Sequence, residues 1–369
     1  MTAAAPAPAH TTFAVITGGG TGGHVYPALA LARELSGRGE PCNHLHFIGS
    51  ARGLEARVVP AAGYSIDLLP GRGLERRLRL SNLRVLWDAL VATVRALRIV
   101  RRRRPRVVVG VGGYASLPGV LAARLRRVPT VVHEQNAAPG LATRIAVRLG
   151  ARSAVSLPDT PLRGAVLTGN PVRPEIIAVH RAPASPPLVA LVGGSLGAGR
   201  VNEAALALYE CWRDRTDVAV HHVSGTRDHE RCADRLEALR RPGDALRYDL
   251  VDYEEHMDEL YARAAVLVGR AGAVTVSELA LTGTPAVLVP LPGAPGDHQT
   301  HNAEALVHAG AAVLVPDAEC DGARLAAELD PLLHDPDRLA RMSAGARTLA
   351  RPDAAARLAD LVVEVAGAG

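Results

Sequence analysis

The sequence contains no lysine, and all 42 of its basic residues are arginine. We attribute this bias to a GC-rich coding sequence, but it also has a physical consequence, because arginine makes bidentate contacts to phosphate that lysine cannot make. Aromatic residues are scarce, at 3%, so the core must be built from Ala, Val and Leu. The 48% hydrophobic and 21% charged content is typical of a globular protein and excludes a disordered chain.

Long apolar runs and paired cysteines are missing as well. No uninterrupted apolar stretch approaches the roughly 20 residues that span a bilayer, so we expect a soluble or peripheral protein. The four cysteines lie far apart without CxxC or Cys/His spacing, which favours reduced thiols over a disulfide or a zinc site. Residues 1–10 lack the basic start and apolar centre of a signal peptide, and they predict a disordered tail.

The length of 369 residues favours two domains, each able to bury its own core. Short β-branched runs alternate with helix-like stretches, which indicates parallel sheets covered by helices on both faces. A proline-rich stretch interrupts this pattern. We predict an α/β protein with two doubly wound Rossmann-like domains facing across a cleft. The expected boundaries are a first domain at 11–174, a linker at 175–187, a second domain at 188–345, and a C-terminal helix at 346–369 that packs back on the first domain.

Three glycine-rich turns each follow a β-branched run and precede a helix-like stretch. They are Thr17–His24, Gly110–Ser116 and Val192–Gly199. Such a turn presents backbone N–H groups and the positive end of a helix dipole to an anion. Three of them, split between two halves, indicate a protein that holds two phosphorylated molecules against each other. Gly18, Gly20 and Gly23 also fit the G-x-G-x-x-G spacing of dinucleotide sites, but the second strand ends at Phe47–Ser50 without the required carboxylate.

Polar side chains follow several of the predicted strands. His24 lies where the first turn enters a helix, and its imidazole is either a general base for a sugar hydroxyl or a structural helix cap. The run His133–Asn136 fits either cleft residues or a satisfied loop network. In the second half, the turn Gly269–Gly272 opens a helix that could hold phosphate at its start, with Glu278 further along to grip ribose hydroxyls.

The segment Arg72–Arg106 carries twelve arginines against only Glu75 and Asp88. Apolar residues at helical spacing predict an amphipathic helix over Asn82–Val100. These apolar positions are Leu83, Leu86, Leu90, Val94 and Leu97. Two interpretations stay open: the helix packs on the core with a solvated basic face, or it rests on anionic lipid headgroups. Nucleic acid is not expected as a partner, because aromatic stacking residues are missing.

Seven motifs, in order along the chain, resemble those of the MurG family over about residues 13 to 350. They are GGGTGGHVYPALALA, GVGGYASLPG, HEQNAAPG, GNPVRPEI, VGGSLGAGRVNE, RAGAVTVSELA and PGDHQTHNAEAL. MurG proteins are bacterial N-acetylglucosaminyltransferases that convert lipid I (undecaprenyl-pyrophosphoryl-MurNAc-pentapeptide) to lipid II in peptidoglycan synthesis. The resemblance implies a GT-B fold without cofactor or metal, and peripheral attachment to the cytoplasmic face of the cell membrane.

The resemblance also implies which residues bind the two substrates. UDP-N-acetylglucosamine (UDP-GlcNAc) would be bound mainly by the second domain and the lipid-linked acceptor by the first. The donor contacts would map to Thr21, Gly22, Gly23, Asn136, Arg173, Ser195, Ala273, Val274, Thr275, Val276, Ser277, Glu278 and Gln299. The acceptor diphosphate would lie against Gly20, Gly112, Gly113 and Tyr114.

The expected reaction is an inverting transfer to the C4 hydroxyl of the N-acetylmuramoyl unit, with His24 as the base and UDP as the leaving group. No DxD-like pair stands at a strand end, so helix N-termini and Arg173 are assigned to stabilise the leaving diphosphate. Two departures from the family pattern are an acidic Val251–Met257 and Ala271 where Ser or Gly is common. The alternatives are a transferase with another lipid or antibiotic acceptor, a sugar-nucleotide epimerase and a non-catalytic scaffold.

Overall fold

The computed structural model describes residues 12–70 and 81–368, with side chains described from Trp87 onward in the second range. The tail predicted at residues 1–10 lies outside the described residues. The chain forms two compact units. The first unit runs to Val172 and resumes at Pro352, and the second unit is Arg173–Arg351. None of the described helices combines the length and the apolar character that crossing a bilayer requires.

The first unit contains a sheet of seven parallel strands in the order β3-β2-β1-β4-β5-β6-β7. Strands β1–β7 are Ala14–Thr17, Leu45–Ser50, Ser65–Leu69, Val107–Gly110, Thr130–Glu134, Arg152–Val155 and Val166–Leu167. Helices α1–α5 are Gly22–Gly37, Glu55–Ala61, Ser81–Arg103, Ser116–Arg126 and Leu141–Arg148, and the C-terminal helix α14 is Ala354–Gly367. The strand order reverses between β1 and β4, and ligands bind beyond the carboxyl ends of strands at such a switch point.

The C-terminal helix α14 is part of the core of the first unit. Its residues Leu358 and Val362 are fully buried in one cluster with Ile16 of β1 and Val109 of β4. Strands β1 and β4 are buried along their whole length, as expected of central strands covered by helices on both faces.

The second unit contains six parallel strands in the order β10-β9-β8-β11-β12-β13, so its strand order reverses between β8 and β11. Strands β8–β13 are Leu188–Val192, Ala219–Val223, Arg247–Val251, Ala264–Gly269, Ala286–Leu288 and Ala312–Leu314. Helices α6–α13 are Pro174–Ile177, Gly199–Trp212, His229–Leu239, Met257–Arg263, Ala273–Thr282, His298–His308, Gly322–Leu333 and Pro336–Thr348. Two Rossmann-like sheets in two domains confirm the predicted fold class.

The predicted amphipathic helix is present as α3, and most of the described residues of its predicted apolar stripe lie outside its buried face. The buried face is formed by Ala92, Ala96, Ile99 and Val100, which pack with Ala122 and Ala123 of α4. The expected stripe residues Leu90 and Val94 are 54% and 39% exposed, and Leu97 is half-buried. The small side chains of Ala92 and Ala96 allow α3 to approach α4 closely on that face, and Leu90 and Val94 lie outside this contact. Leu83 and Leu86 lie outside the described side chains.

Candidate active site

The first and second glycine turns interlock at the switch point of the first unit. The N–H of Gly19 donates to the carbonyl of Gly112 at 3.2 Å. Gly113 has a φ of +78°, and a Cβ built there would lie 1.9 Å from the carbonyl oxygen of Gly19. Only glycine meets both the conformational and the steric requirement at this position. The turns that follow β1 and β4 therefore form one continuous backbone surface.

His24 lies against this surface. It is the third residue of α1 and is half-buried, with Nδ1 3.2 Å from the hydroxyl oxygen of Thr21. A Cβ built on Gly112 would lie 2.7 Å from Cδ2 and 2.9 Å from Nε2 of His24, and 3.4 Å from Oε1 of Gln135. The imidazole is therefore held at one nitrogen by Thr21, while its other nitrogen borders the second turn. A neutral imidazole has the chemistry of a general base.

Glu134, at the end of β5, organises the loop that follows it. Its carboxylate accepts hydrogen bonds from the N–H of Gly140 at 2.9 Å and from the hydroxyl of Thr143 at 2.7 Å. The side-chain amide of Asn136 donates to the same carboxylate at 3.2 Å. The structure thus favours the loop-network interpretation for Glu134, and it places Asn136, predicted to contact the donor, half-buried at the edge of that network.

Gln135 ties the same segment to the second turn, and His133 ties it to Gly169. His133 is fully buried, with Nε2 3.0 Å from the carbonyl oxygen of Gly169, and burial lowers its pKa to about 4. The ring is therefore neutral at pH 7. Gln135 donates from Nε2 to the carbonyl of Val111 at 2.9 Å.

Two residues predicted to contact the acceptor diphosphate have intramolecular partners. The hydroxyl of Tyr114 donates to the carbonyl of Pro70 at 3.4 Å, and burial raises the pKa of this tyrosine. The N–H of Gly20 donates to Oε2 of Glu55 at 2.7 Å. Sequence reasoning missed Glu55, although a glutamate that follows the glycine-containing stretch Gly49–Gly53 was a visible signal.

The third glycine turn and the start of α10 lie at the switch point of the second unit. Ser195 is exposed, and its carbonyl accepts from the backbone N–H of Thr226 at 3.2 Å and from its hydroxyl at 3.1 Å. Gly272 is the N-cap of α10, which begins just past the carboxyl end of β11. The first three residues of α10 are half-buried, so the positive end of the helix is accessible to an anion. They are Ala273, Val274 and Thr275.

The next residues of α10 have structural contacts. Val276 is fully buried, and the hydroxyl of Ser277 donates to the carbonyl of Ala273 at 2.8 Å. An anion can therefore reach the predicted donor-binding motif at the backbone of the first residues of α10.

Glu278 and Arg173, both predicted to contact the donor, lie together in the second unit. Arg173 Nη2 is 3.7 Å from Oε1 of Glu278, and the hydroxyl of Tyr261 donates to Oε2 at 2.9 Å. The Glu278 residue is 6% exposed, and burial raises the pKa of its carboxyl, against the opposing effects of Tyr261 and Arg173. Burial also raises the pKa of Tyr261, which keeps it protonated as a donor. The cluster brings together α6, α9 and α10.

Gln299 and Arg270 both form hydrogen bonds with the loop after β12. Gln299 is half-buried near the start of α11, and its Oε1 accepts from the N–H of Leu291 at 3.0 Å. Arg270 Nη1 donates to the carbonyls of Val289 and Pro290 at 3.0 and 3.1 Å, and to Asp317 at 2.6 Å. The sequence alone suggested no role for Arg270.

One residue of the acidic segment Val251–Met257, Glu254, has partners within the second unit. The carboxylate of Glu254 lies 3.0 Å from Nε2 of His221 and accepts from the N–H of His256 at 2.8 Å. His221 Nδ1 lies 2.9 Å from Asp249. Glu254 is therefore hydrogen-bonded to His221 and His256 of the second unit. Over residues 12–70 and 81–368, no three His, Cys, Asp or Glu side chains form a group that could hold a metal ion.

Comparisons with known proteins identify the class of this fold and site. A model described as the glycosyltransferase family 28 N-terminal domain matches residues 14–155, and one described as the family 28 C-terminal domain matches residues 188–358. The fold and both glycine-turn regions are thus those of a family 28 glycosyltransferase.

Two curated relatives carry the name UDP-N-acetylglucosamine--N-acetylmuramyl-(pentapeptide) pyrophosphoryl-undecaprenol N-acetylglucosamine transferase. The protein of Alkalilimnicola ehrlichii is 44% identical over 95% of this chain and 98% of its own length. That of Methylococcus capsulatus is 43% identical over 96% and 99%. The crystal structure of Acinetobacter baumannii MurG matches with a TM-score of 0.77 and 29% identity over 96% of this chain and 99% of that one. The chain belongs to the MurG family.

Proposed function

We propose that this protein transfers N-acetylglucosamine from UDP-GlcNAc to the C4 hydroxyl of the MurNAc unit of lipid I, which gives lipid II and UDP. The observation that carries the proposal is the identity of 43–44%, over nearly the full length, to relatives named for this transfer. The arrangement of the two switch points supports it, because each presents glycine turns suited to a phosphorylated ligand.

The second unit would bind the donor. Glu278 would accept hydrogen bonds from the ribose hydroxyls, with Tyr261 and Arg173 fixing the carboxylate at 2.9 and 3.7 Å. The N–H groups at Ala273–Thr275 would bind the diphosphate, with further donor contacts at Ser195 and Gln299. Preorganised donors of this kind typically contribute about 3 to 4 kcal/mol each to stabilising charge on the leaving group.

The first unit would bind the acceptor and supply the base. Nε2 of His24 would take the proton of the C4 hydroxyl while its oxygen bonds to the anomeric carbon of the donor and the bond from that carbon to the UDP oxygen breaks. Thr21, 3.2 Å from Nδ1, would orient the ring for this step. Gly112, Gly113 and Tyr114 would face the acceptor diphosphate, and Thr21–Gly23 and Asn136 would complete the contacts to the donor sugar.

The experiment that tests this function measures UDP release from UDP-GlcNAc with and without a lipid I analogue. We expect release that depends on the acceptor, with one UDP formed for each disaccharide. UDP-sugar isomerisation without acceptor would contradict the proposal in favour of an epimerase. Donor binding without turnover would contradict it in favour of a scaffold, and turnover only with a different lipid or antibiotic acceptor would replace lipid I as substrate.

We further propose that α3 holds the protein on the anionic cytoplasmic face of the cell membrane. At helical spacing, one face of α3 carries Trp87, Leu90 and Val94, which are 64%, 54% and 39% exposed. Arg98 and Arg101 continue the same face and are exposed. An exposed apolar patch followed by arginines matches an interfacial helix, in which apolar side chains enter the headgroup region and cations contact anionic lipid.

Vesicle binding tests this surface. Arg98→Gln/Arg101→Gln should weaken binding to phosphatidylglycerol vesicles, since each arginine near an anionic leaflet contributes roughly 1 kcal/mol. The wild type should dissociate as salt rises. Arg235→Gln/Arg240→Gln, which removes two exposed charges from the second unit, is the matched control and should bind as the wild type does. Equal binding by the α3 variant and the wild type would place the membrane contact elsewhere.

A further inference from the structure

Glu55 is a buried carboxylate beside the first glycine turn that the proposed reaction does not use. It is the first residue of α2 and is 2% exposed. Its Oε2 accepts from the N–H of Gly20 and its Oε1 from the N–H of Ser50, both at 2.7 Å. A buried carboxylate is tolerated when hydrogen bonds replace its water, and N–H bonds of this length to a carboxylate are charge-assisted.

Three glycines surround this carboxylate. A Cβ built on Gly19, Gly49 or Gly53 would lie 2.3, 2.4 or 2.1 Å from the nearest atom of Glu55. These glycines belong to the first glycine turn, to β2 and to the loop before α2. Because any larger residue would collide with Glu55, the three segments are shaped around its side chain.

A continuous series of contacts connects Glu55 to His24. The carboxylate holds the amide of Gly20, the adjacent Gly19 donates to Gly112 at 3.2 Å, and the ring of His24 lies against Gly112. A displacement of Gly20 would therefore shift the backbone that borders Nε2 of His24.

We propose that Glu55 is a positioning residue for the acceptor half of the site, and this rests on the proposed function of the first unit. Its carboxylate is the anion that the amide of Gly20 binds permanently. The acceptor diphosphate then binds the interlocked turns through groups other than that amide, and Glu55 sets the position of those turns relative to His24.

The test compares Glu55→Gln with the wild type. The amide side chain keeps the shape but places an NH₂ group against one of the two backbone N–H donors. In protein labelled with ¹⁵N-glycine, the Gly20 amide resonance should move from the position of a carboxylate-bound N–H. The value of kcat/KM for the lipid I analogue should fall on the order of 10- to 100-fold, as expected when a charge-assisted hydrogen bond is lost. UDP affinity should stay unchanged.

Glu364→Gln, the same chemical change at an exposed position on α14, is the control and should leave all three readouts as in the wild type. If Glu55→Gln lowers only the melting temperature, with kcat and KM per folded molecule unchanged, Glu55 is structural and the proposal is overturned. An equal loss of UDP affinity would also overturn it. Absence of transfer by the wild type would instead refute the proposed function, independently of the glycine spectrum.

Discussion

The switch points of the two units share a strand order but differ in what occupies their glycine turns. In the first unit, the carboxylate of Glu55 accepts a hydrogen bond of 2.7 Å from the N–H of Gly20, and His24 lies against the neighbouring turn. In the second unit, the buried carboxylate near the third turn is Asp228, and it pairs with Arg227 at 2.9 Å through side chains. The acidic residue of the second site, Glu278, lies within α10 beside Arg173 and Tyr261.

Under the proposed function, this difference is what lets one fold serve two tasks. The first switch point is stiffened by an internal anion and carries an imidazole, the group best suited to proton transfer near pH 7. The second keeps a helix start accessible and carries Glu278, which under the proposed function would accept hydrogen bonds from sugar hydroxyls. We therefore expect changes in the first unit to affect turnover and changes in the second to affect nucleotide affinity.

The largest expected effect is that of His24→Ala on turnover. Loss of a general base should lower kcat on the order of 10² to 10⁴-fold, with UDP affinity unchanged. Steady-state kinetics with the lipid I analogue measure it. More than about a tenth of the wild-type kcat would return His24 to the role of a helix cap. If the acidic limb of the pH–rate profile persists in the variant, His24 orients the acceptor instead of acting as base.

Acid should destabilise the first unit more than the second. Burial lowers the pKa of His46 and His133 in the first unit to about 4, and that of His222 in the second to about 3. A depressed pKa gives stability that is complete above the unfolded value near 6.5 and is lost as pH falls toward the folded value. Each of the two histidines in the first unit should cost at most about 3 kcal/mol over that range.

Hydrogen exchange at pH 7 and pH 5 measures this comparison strand by strand. We expect protection of β2 and β5 to decrease more than that of β9. Equal loss in both sheets, or no loss, would show that these histidines do not set the acid stability of the two units.

The third effect concerns Glu278→Ala. Removal of a hydrogen-bonding carboxylate should weaken UDP binding by about 1.5 to 3 kcal/mol, or roughly 10- to 100-fold, and raise the donor KM. Isothermal calorimetry with UDP measures the change. Glu237→Ala, at an exposed position on α8 of the same unit, is the control. A UDP affinity identical in Glu278→Ala and wild type would remove Glu278 from the donor site.

The smallest effect is expected from Tyr261→Phe. The change removes only the hydroxyl that lies 2.9 Å from Glu278, so the carboxylate stays but is less well fixed. The hydroxyl acts on the nucleotide only through Glu278, so UDP affinity should fall less than in Glu278→Ala, by about two- to tenfold, which corresponds to about 0.5 to 1.5 kcal/mol. A larger loss than that of Glu278→Ala would mean that Tyr261 contacts the nucleotide directly.

The sequence was sufficient for the central strands and for the glycine turns, because buried parallel strands are continuous apolar runs and the turns follow them directly. It did not predict β3, β6, β7, β10 or β13, four of which are the edge strands of the two sheets. The sequences of β3 and β10, SIDLL and RYDLV, contain exposed polar residues typical of edge strands. It also left open which face of α3 is buried, since spacing alone cannot show that Ala92 and Ala96 pack against another helix.

Glu55 shows a second limit of sequence reasoning. Its partners Gly20 and Ser50 are 35 and 5 residues away, and they meet only because β1 and β2 pair in parallel. Arg173 and Glu278 were each predicted from motifs, but their separation of 3.7 Å depends on the packing of α6 near α10.

The most direct test of this division between the units is one set of UDP titrations on His24→Ala, Glu55→Gln and Glu278→Ala. UDP lacks the N-acetylglucosamine of the donor and is added without the acceptor, so its binding reports on the nucleotide site alone. We expect wild-type affinity for the two variants of the first unit and an affinity at least about tenfold weaker for Glu278→Ala. Wild-type affinity in Glu278→Ala, together with weakened binding in His24→Ala or Glu55→Gln, would contradict it.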